Sequence, residues 1–469
     1  MEFDTKKSGT SYGGILKLVW PLALGMVNNA LMQFVDRAFL AKYSMAALEA
    51  VLPASMLAFV AIGFFQSLVG YSGTFVAQYH GAGDPRMGVV SYRAGVMIAI
   101  VSGLLMFAFM PLGDLVFRLS GHSAEVRILE NEYYKISTGG GIFLFLQMAA
   151  SAYFTGRGHT RLVFAVNVLG NILNIALDPI FIFGWLFVPE MGVAGAAYAT
   201  VASMAVQWIV LASVIAAEQI KELKEVRVRI SLADFMALVW RILKFGVPSG
   251  GYSVLNILSF TVFVFVTGGV SDVAFAVSNA CFTVNYLLFA PMEGFALGAA
   301  TLVGQAQGRG DSEAARRDGM RTVLLGVVTV VVPSLLVVAL YRPILAVFAP
   351  ENPLLHAEFI STGFILLVLM AAWQVFDAAD VIISGALKGA GDTGFVMWWI
   401  LVVAFGFWLP LVFVVVKFCN TMPALWATMV AYVVFMFVGS IIRWKRGKWM
   451  SIKVLKATNE IAPLGLQGN

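Results

Sequence analysis

Twelve apolar runs, each long enough to cross a lipid bilayer, constrain the fold of this chain more than any other feature. A helix needs roughly 20 residues to traverse the hydrocarbon. The runs are approximately Gly14–Leu40, Met45–Tyr71, Val89–Leu112, Ile136–Phe154, Leu162–Phe183, Gly192–Ala217, Leu243–Val270, Val273–Gln305, Val323–Leu340, Ile360–Ile383, Phe395–Val416 and Ala424–Ile442. Backbone groups facing lipid find no water to bond, so such runs must satisfy themselves internally as helices. Composition agrees, since 12% of the 469 residues are charged against about 25% in soluble domains. The expectation is an all-α integral membrane protein. The opening "MEFDTKKSGTSYGG" has no short apolar core before a small-residue cleavage site, so no cleavable signal is expected.

Charge orients the spans. With both termini on one side, 24 of the 31 Lys and Arg fall on that side. Arg37, Lys42, Arg118, Arg127, Lys135, Arg342 and Lys417 fall on the other. Basic loops stay in the cytoplasm. A multi-pass protein of the cell (inner or plasma) membrane, with both termini cytoplasmic, is therefore expected. The net charge of +5 serves this asymmetry and the anionic headgroups of the bilayer, and calls for no nucleic acid. Cys281 lies in a span and Cys419 in an outer loop, so no disulfide is expected.

The chain repeats itself. "TFVAQYHGAGD" (74–84) returns as "TLVGQAQGRGD" (301–311), and the same offset of 227 aligns "ILKLVWP" (15–21) with "ILKFGVP" (242–248) and Asn29 with Asn256. "TGRGHT" (155–160) resembles "KGAGDT" (388–393) at an offset of 233. These patches define two parallel six-helix repeats: an N-terminal bundle over 1–217, a cytoplasmic linker over 218–241, a C-terminal bundle over 242–442 and a basic tail over 443–469. An even number of spans per copy gives both copies the same orientation, related by an axis along the membrane normal. Parallel repeats are a transporter device, with cargo expected between the halves. The duplicated glycine phrase closes spans two and eight. Gly81, Gly83, Gly308 and Gly310 permit a tight turn there, and Asp84 and Asp311 are expected to cap the following helices.

Polar residues inside spans are costly and usually face a cavity or a partner. In span five, Asn167, Asn171, Asn174 and Asp178 follow at steps of four, three and four, on one helical face. Pro179 comes next and favours a kink beside the carboxylate. In span one, Asn29, Gln33 and Asp36 also share a face. At 1.5 Å per residue, Asp36 lies roughly 33 Å, and Asp178 roughly 24 Å, from the inner ends of their spans, while Thr200 lies roughly 12 Å from the outer end of span six. All three fall in the outer half of the membrane. Their oxygens suit a hard cation such as Na⁺, and two buried carboxylates can equally share a proton. Hydrogen bonding between helices is the plainer role for Asn167 and Asn171. Arg37 is expected to reach the outer headgroups. The repeat partners of Asp36 and Asp178 are Phe263 and Leu411, both apolar, which confines this cation site to the N-terminal half.

The C-terminal half offers its own candidates. Gln374, Asp377, Asp380 and Ser384 line one face of span ten, and Glu293 follows Pro291 in span eight. Carboxylates one turn apart repel, so a proton or a cation is expected beside them. The spans carry acids rather than Arg or Lys. The four histidines are assigned to loops, and no catalytic set or Walker-type phosphate loop is found, so neither an enzyme nor an ATP-driven pump is expected.

"FVDRAFLA", the paired "VAQYHGAGD" and "VGQAQGRGD", "NILNIALDPIFIFG", "GAAYAT" and "DAADVIISGALKGAGDT" together resemble the multidrug and toxic compound extrusion (MATE) transporters over essentially the whole chain. The resemblance implies two six-helix bundles in a V, and export of amphipathic, often cationic compounds in exchange for inward Na⁺ or H⁺. It implies a cation site at Asp36, Asn174, Asp178 and Thr200, with Ala196 beside it. It also implies a second carboxylate at Asp377, although Asn256 stands where one branch of the family carries Glu in span seven. That departure favours the N-terminal site. Asn256, Glu293, Gln374, Asp377 and Asp380 are then candidates for cargo binding or a second carboxylate site.

The mechanism expected is alternating access by a monomer, with no cofactor beyond the coupling ion. Alternatives are an exporter of a dedicated natural product or metabolite, and a lipid-linked precursor flippase of the same superfamily. A flippase would need a basic central cavity.

Overall fold

The computed structural model describes residues 10–185, 188–222 and 230–455. Residues 223–229 of the expected linker and 456–469 of the expected basic tail lie outside the described residues.

The helices are α1 Tyr12–Tyr43, α2 Met45–Gly81, α3 Pro85–Leu119, α4 Ala124–Gly156, α5 Thr160–Ile182, α6 Gly192–Glu222, α7 Leu232–Thr267, α8 Asp272–Gly308, α9 Ser312–Ala339, α10 Pro353–Gly389, α11 Thr393–Phe418 and α12 Met422–Arg446. Among the described residues eleven are long and apolar enough to span a membrane; α4 is the helix that is not. It carries charge at its start, and it packs along α2, α3 and α6, where neighbours rather than lipid cover it. The chain is a nearly all-helical, multi-pass membrane protein.

Several helices begin well before the apolar runs, because polar caps start them outside the hydrocarbon. The Ser123 side chain accepts from Val126 N at 3.3 Å, opening α4 twelve residues ahead of Ile136. There the fully buried Glu130 meets His122 at 2.7 Å. Ser231 caps Asp234 N at 3.1 Å and starts α7 inside the expected linker. Asp311 caps α9 by accepting from Ala314 N at 2.8 Å, as Asp84 caps α3 by accepting from Met87 N at 3.1 Å. Gly83 and Gly310 both sit at φ 75°, a backbone that favours glycine, so the repeated phrase builds the same corner twice. Of the four histidines, His80 and His356 are helical rather than in loops. Within α11, Leu401–Trp408 is π-helical.

Contacts divide the chain into two compact units that do not follow chain order. Among the described residues, one comprises 27–250, 308–310 and 453–455; the other comprises 10–26, 251–307 and 311–452. The first is called here the Asp36 unit and the second the Asp377 unit. The division cuts α1 after Met26 and α7 after Gly250, at nearly equivalent places in the two repeats.

Glycines explain how each crossing segment docks. In the Asp377 unit, the first part of α1 lies so close to α8 that a Cβ on Gly294 would fall 2.4 Å from Ala23 Cα, and one on Gly298 2.5 Å from a Val19 methyl. In the Asp36 unit, the first part of α7 meets α2 with the glycines on the other partner: a Cβ on Gly246 would fall 2.7 Å from a Leu68 methyl, and one on Gly250 2.8 Å from Phe64 O. Small residues spaced by four let helix backbones approach where apolar burial gives no driving force.

Each unit also ties the corner before its fifth span to the end of its sixth. Arg157 pairs with Glu218 at 2.6 Å in the Asp36 unit, and Arg443 grips Asp392 at 2.6 and 3.0 Å in the Asp377 unit. The signs are exchanged between the copies.

Candidate functional site

In the Asp36 unit the polar faces of α1, α5 and α6 meet. Asp36 and Asp178 lie within hydrogen-bonding reach of each other. Asn174 and Asp178 are fully buried. Asn174 Nδ2 donates to Thr200 Oγ1 at 3.4 Å, and that hydroxyl donates to the Ala196 carbonyl at 3.0 Å. Around them Asp36 Oδ1, Asn174 Oδ1 and both oxygens of Asp178 are buried with no donor among the described residues. Unpaired buried acceptors are expensive. Two carboxylates cannot satisfy each other without a proton or a cation, so this cluster has the donor set for a small hard cation. The structure thus brings together Asp36, Asn174, Asp178, Ala196 and Thr200.

One turn further along, Asn171 donates to Asn29 at 3.1 Å and binds α5 to α1. Asn167 accepts from Gln147 at 3.3 Å. Pro179 falls in the last turn of α5 rather than at a mid-helix kink, because the helix ends at Ile182. Sequence reasoning missed Tyr133, which lies near Asp36 and within reach of Ser55 and Ser137. It lies three residues ahead of the expected start of span four and was therefore read as outside the membrane.

In the Asp377 unit a second polar cluster forms. Lys388 Nζ lies 3.8 Å from the centre of the Tyr252 ring, a cation–π contact. Its charge also acts on Glu293 and Asp380. Asp377 neighbours Asp380 and Glu293, Ser440 is in hydrogen-bonding reach of Asp380, and Asn256 is in reach of Tyr252. Gln374 is fully buried; its Nε2 donates to Asn285 Oδ1 at 2.5 Å, while its Oε1, like Asp380 Oδ1 and Ser384 Oγ, is buried with no partner among the described residues. Three acids against one lysine leave the cluster formally anionic. The expectation that the spans lack Lys is corrected by Lys388, in the last turn of α10. Its signal was available: Asp377, Asp380, Ser384 and Lys388 follow at steps of three, four and four on one face.

Eleven helices of membrane-spanning length among the described residues, with buried acceptors left unpaired inside them, are the setting in which the relatives are compared. The MatE family model matches residues 21–180 and 248–414, and the chain belongs to that family of transporters. The chain is 28% identical over 453 residues to a probable multidrug resistance protein NorM of Thermotoga maritima, covering 94% of each. It is 25% identical over 401 residues to a protein of the same description from Rhodopseudomonas palustris, covering 84% of this chain and 82% of that one. In fold it is similar to a MOP superfamily transporter from Pyrococcus furiosus (TM-score 0.82, 20% identity, covering 95% of this chain and 98% of that chain). The eukaryotic MATE transporter AtDTX14 gives a TM-score of 0.81 at 17% identity, with 93% and 96% covered.

Proposed function

We propose that the protein is a multidrug efflux antiporter of the cell membrane, exporting amphipathic, often cationic small molecules in exchange for H⁺ or Na⁺. The observation that carries this reading is the set of orphaned buried oxygens on Asp36, Asn174 and Asp178. A cation entering there finds two carboxylates and an amide oxygen already desolvated and aimed inward. Thr200, held by the Ala196 carbonyl, orients the Asn174 amide so that its oxygen stays available. The names of the relatives support the drug-like cargo class.

Coupling runs through α1. Its outer part carries Asp36 within one unit, and its inner part is fixed in the other, where the Thr10 amide N–H donates to both Asp318 oxygens at 2.9 and 3.1 Å and Arg321 donates to Thr10 O at 2.8 Å. Binding a cation at Asp36 shifts the preferred placement of α1, and so biases both units by alternating access. Antiport needs only a negative coupling of about 1–3 kcal/mol between ion and cargo. The anionic cluster of Glu293, Asp377 and Asp380 attracts the positive part of the cargo, and Lys388 keeps its charge from accumulating. The basic cavity that a pyrophosphate-carrying flippase needs is not what these residues build. Both termini lie in the cytoplasm in this reading, following the basic loops.

The test is efflux of a fluorescent cationic dye from proteoliposomes under an imposed pH gradient and then an imposed Na⁺ gradient, for wild type and Asp36→Asn. One gradient should drive wild-type efflux and fail in the variant. Unimpaired coupling in Asp36→Asn would reduce the cluster to a structural role.

A further inference from the structure

The end of the Asp377 unit that carries the start of α1 also holds a groove that the transport reading does not use. It is a cavity of ≈ 750 Å³ between α9, α10 and α12, with Tyr12 of α1 at its edge. Leu324, Phe376, Phe437 and Ile441 give it an apolar floor, and Leu324 and Phe376 are themselves exposed. Arg316, Arg317 and Lys445 stand at its rim, with Glu313 as the single acid. Arg321 also lines it, but is engaged with the Thr10 carbonyl and lies over the Tyr12 ring at 5.2 Å.

The unsatisfied polar atoms here share one character. Arg317 Nε and Trp444 Nε1 are buried with no partner among the described residues, and both are donors. Trp444 is 2% exposed, lines the groove and is held by stacking on Trp449 at 4.2 Å. An occupant must therefore bring acceptors and negative charge at one end and hydrocarbon at the other. Only such a molecule satisfies the donors and the floor together.

We infer that this groove is a binding site for an anionic phospholipid, with the phosphate at Arg316, Arg317, Lys445 and Trp444 Nε1 and an acyl chain along Leu324 and Phe437. The site lies beside the Arg321–Thr10–Asp318 clamp, so a bound lipid reinforces the anchor of α1.

The test is native mass spectrometry of the delipidated full-length protein titrated with dioleoylphosphatidylglycerol and dioleoylphosphatidylcholine. Phosphatidylglycerol should be retained in preference. Removing a basic side chain near a charged headgroup weakens binding about five-fold, so Arg316→Gln with Lys445→Gln should weaken it about 30-fold. Leu324→Trp, which fills the floor without changing charge, should weaken it as well. Arg86→Gln with Arg161→Gln, an exposed basic pair in the other unit, should leave it unchanged. Inorganic phosphate, lacking a chain, should not compete. Equal retention of the two lipids, an equal loss in the Arg86/Arg161 pair, no effect of Leu324→Trp, or displacement by phosphate alone would each overturn the inference.

Discussion

The docking of α1 on α8 gives a quantitative prediction. A Cβ added at Gly294 would sit 2.4 Å from both the N and Cα of Ala23, and ordinary contact begins at 3.4 Å. Those are backbone atoms and cannot rotate away, so α1 must withdraw by about 1 Å in a packed interior. Overpacking of this kind costs about 1–3 kcal/mol. Alanine in place of glycine offsets part of this through helix propensity, by about 1 kcal/mol. The steric part is isolated by comparison with Gly88→Ala in α3, which gains the same propensity and meets nothing within 4 Å. Unfolding in mixed micelles should therefore rank Gly88→Ala at or above wild type and Gly294→Ala below it, with a gap of about 1–3 kcal/mol between the variants. Dye efflux should fall in Gly294→Ala, because the withdrawn segment carries the anchor opposite Asp36. If Gly294→Ala proves as stable as Gly88→Ala and transports normally, the close approach of α1 to α8 is wrong.

Other perturbations test separate parts of the structure. Arg443→Gln leaves Asp392, which is 5% exposed, without its bidentate partner and should cost about 3 kcal/mol in the same unfolding assay. Exchanging the two residues, Asp392→Arg with Arg443→Asp, should recover part of that loss, since the other unit carries the equivalent pair with opposite signs. Gly310→Ala forces alanine to φ 75° and should destabilise by about 1–2 kcal/mol, with Gly83→Ala behaving alike because it occupies the same corner. Asn174→Ala should reduce gradient-driven efflux at least ten-fold while leaving the protein folded in the membrane, whereas Asn167→Ala, whose amide oxygen serves Gln147, should leave efflux near wild type; equal defects in both would assign α5 a purely structural polar face.

Much of this was legible in the sequence because bilayer solvation leaves the backbone few choices. Apolar length located the helices, and the steps from Asn167 to Asp178 placed four polar groups on one face before any neighbour was known. The cluster with Asp36 and Thr200 followed from comparable depths on α1, α5 and α6. The sequence was silent where the cause lies in caps or in tertiary contact. Ser123, Ser231 and Asp311 extend helices into water, where hydropathy carries no signal, and so Tyr133 was placed outside its span. Lys388 lies beyond the apolar run Ile360–Ile383, although its register with Asp377 and Asp380 puts it on their face. Its contact with Tyr252 joins two helices and has no local signature. The passage of α1 and α7 from one unit to the other is a property of contacts, and chain order divides the repeats elsewhere. The π-helical stretch Leu401–Trp408 sits in a uniformly apolar run, which reads the same for any helical period.

The central claim is that Asp36 and Asp178 hold the coupling cation. It is tested most directly by counting cations bound per purified protein molecule, using radioactive Na⁺ and, in Na⁺-free buffer, proton uptake followed with an indicator dye. The account predicts that wild type binds a cation which Asp178→Asn fails to bind and which Asp377→Asn still binds. Retention by Asp178→Asn together with loss by Asp377→Asn would contradict it and move the coupling site to the cluster around Lys388.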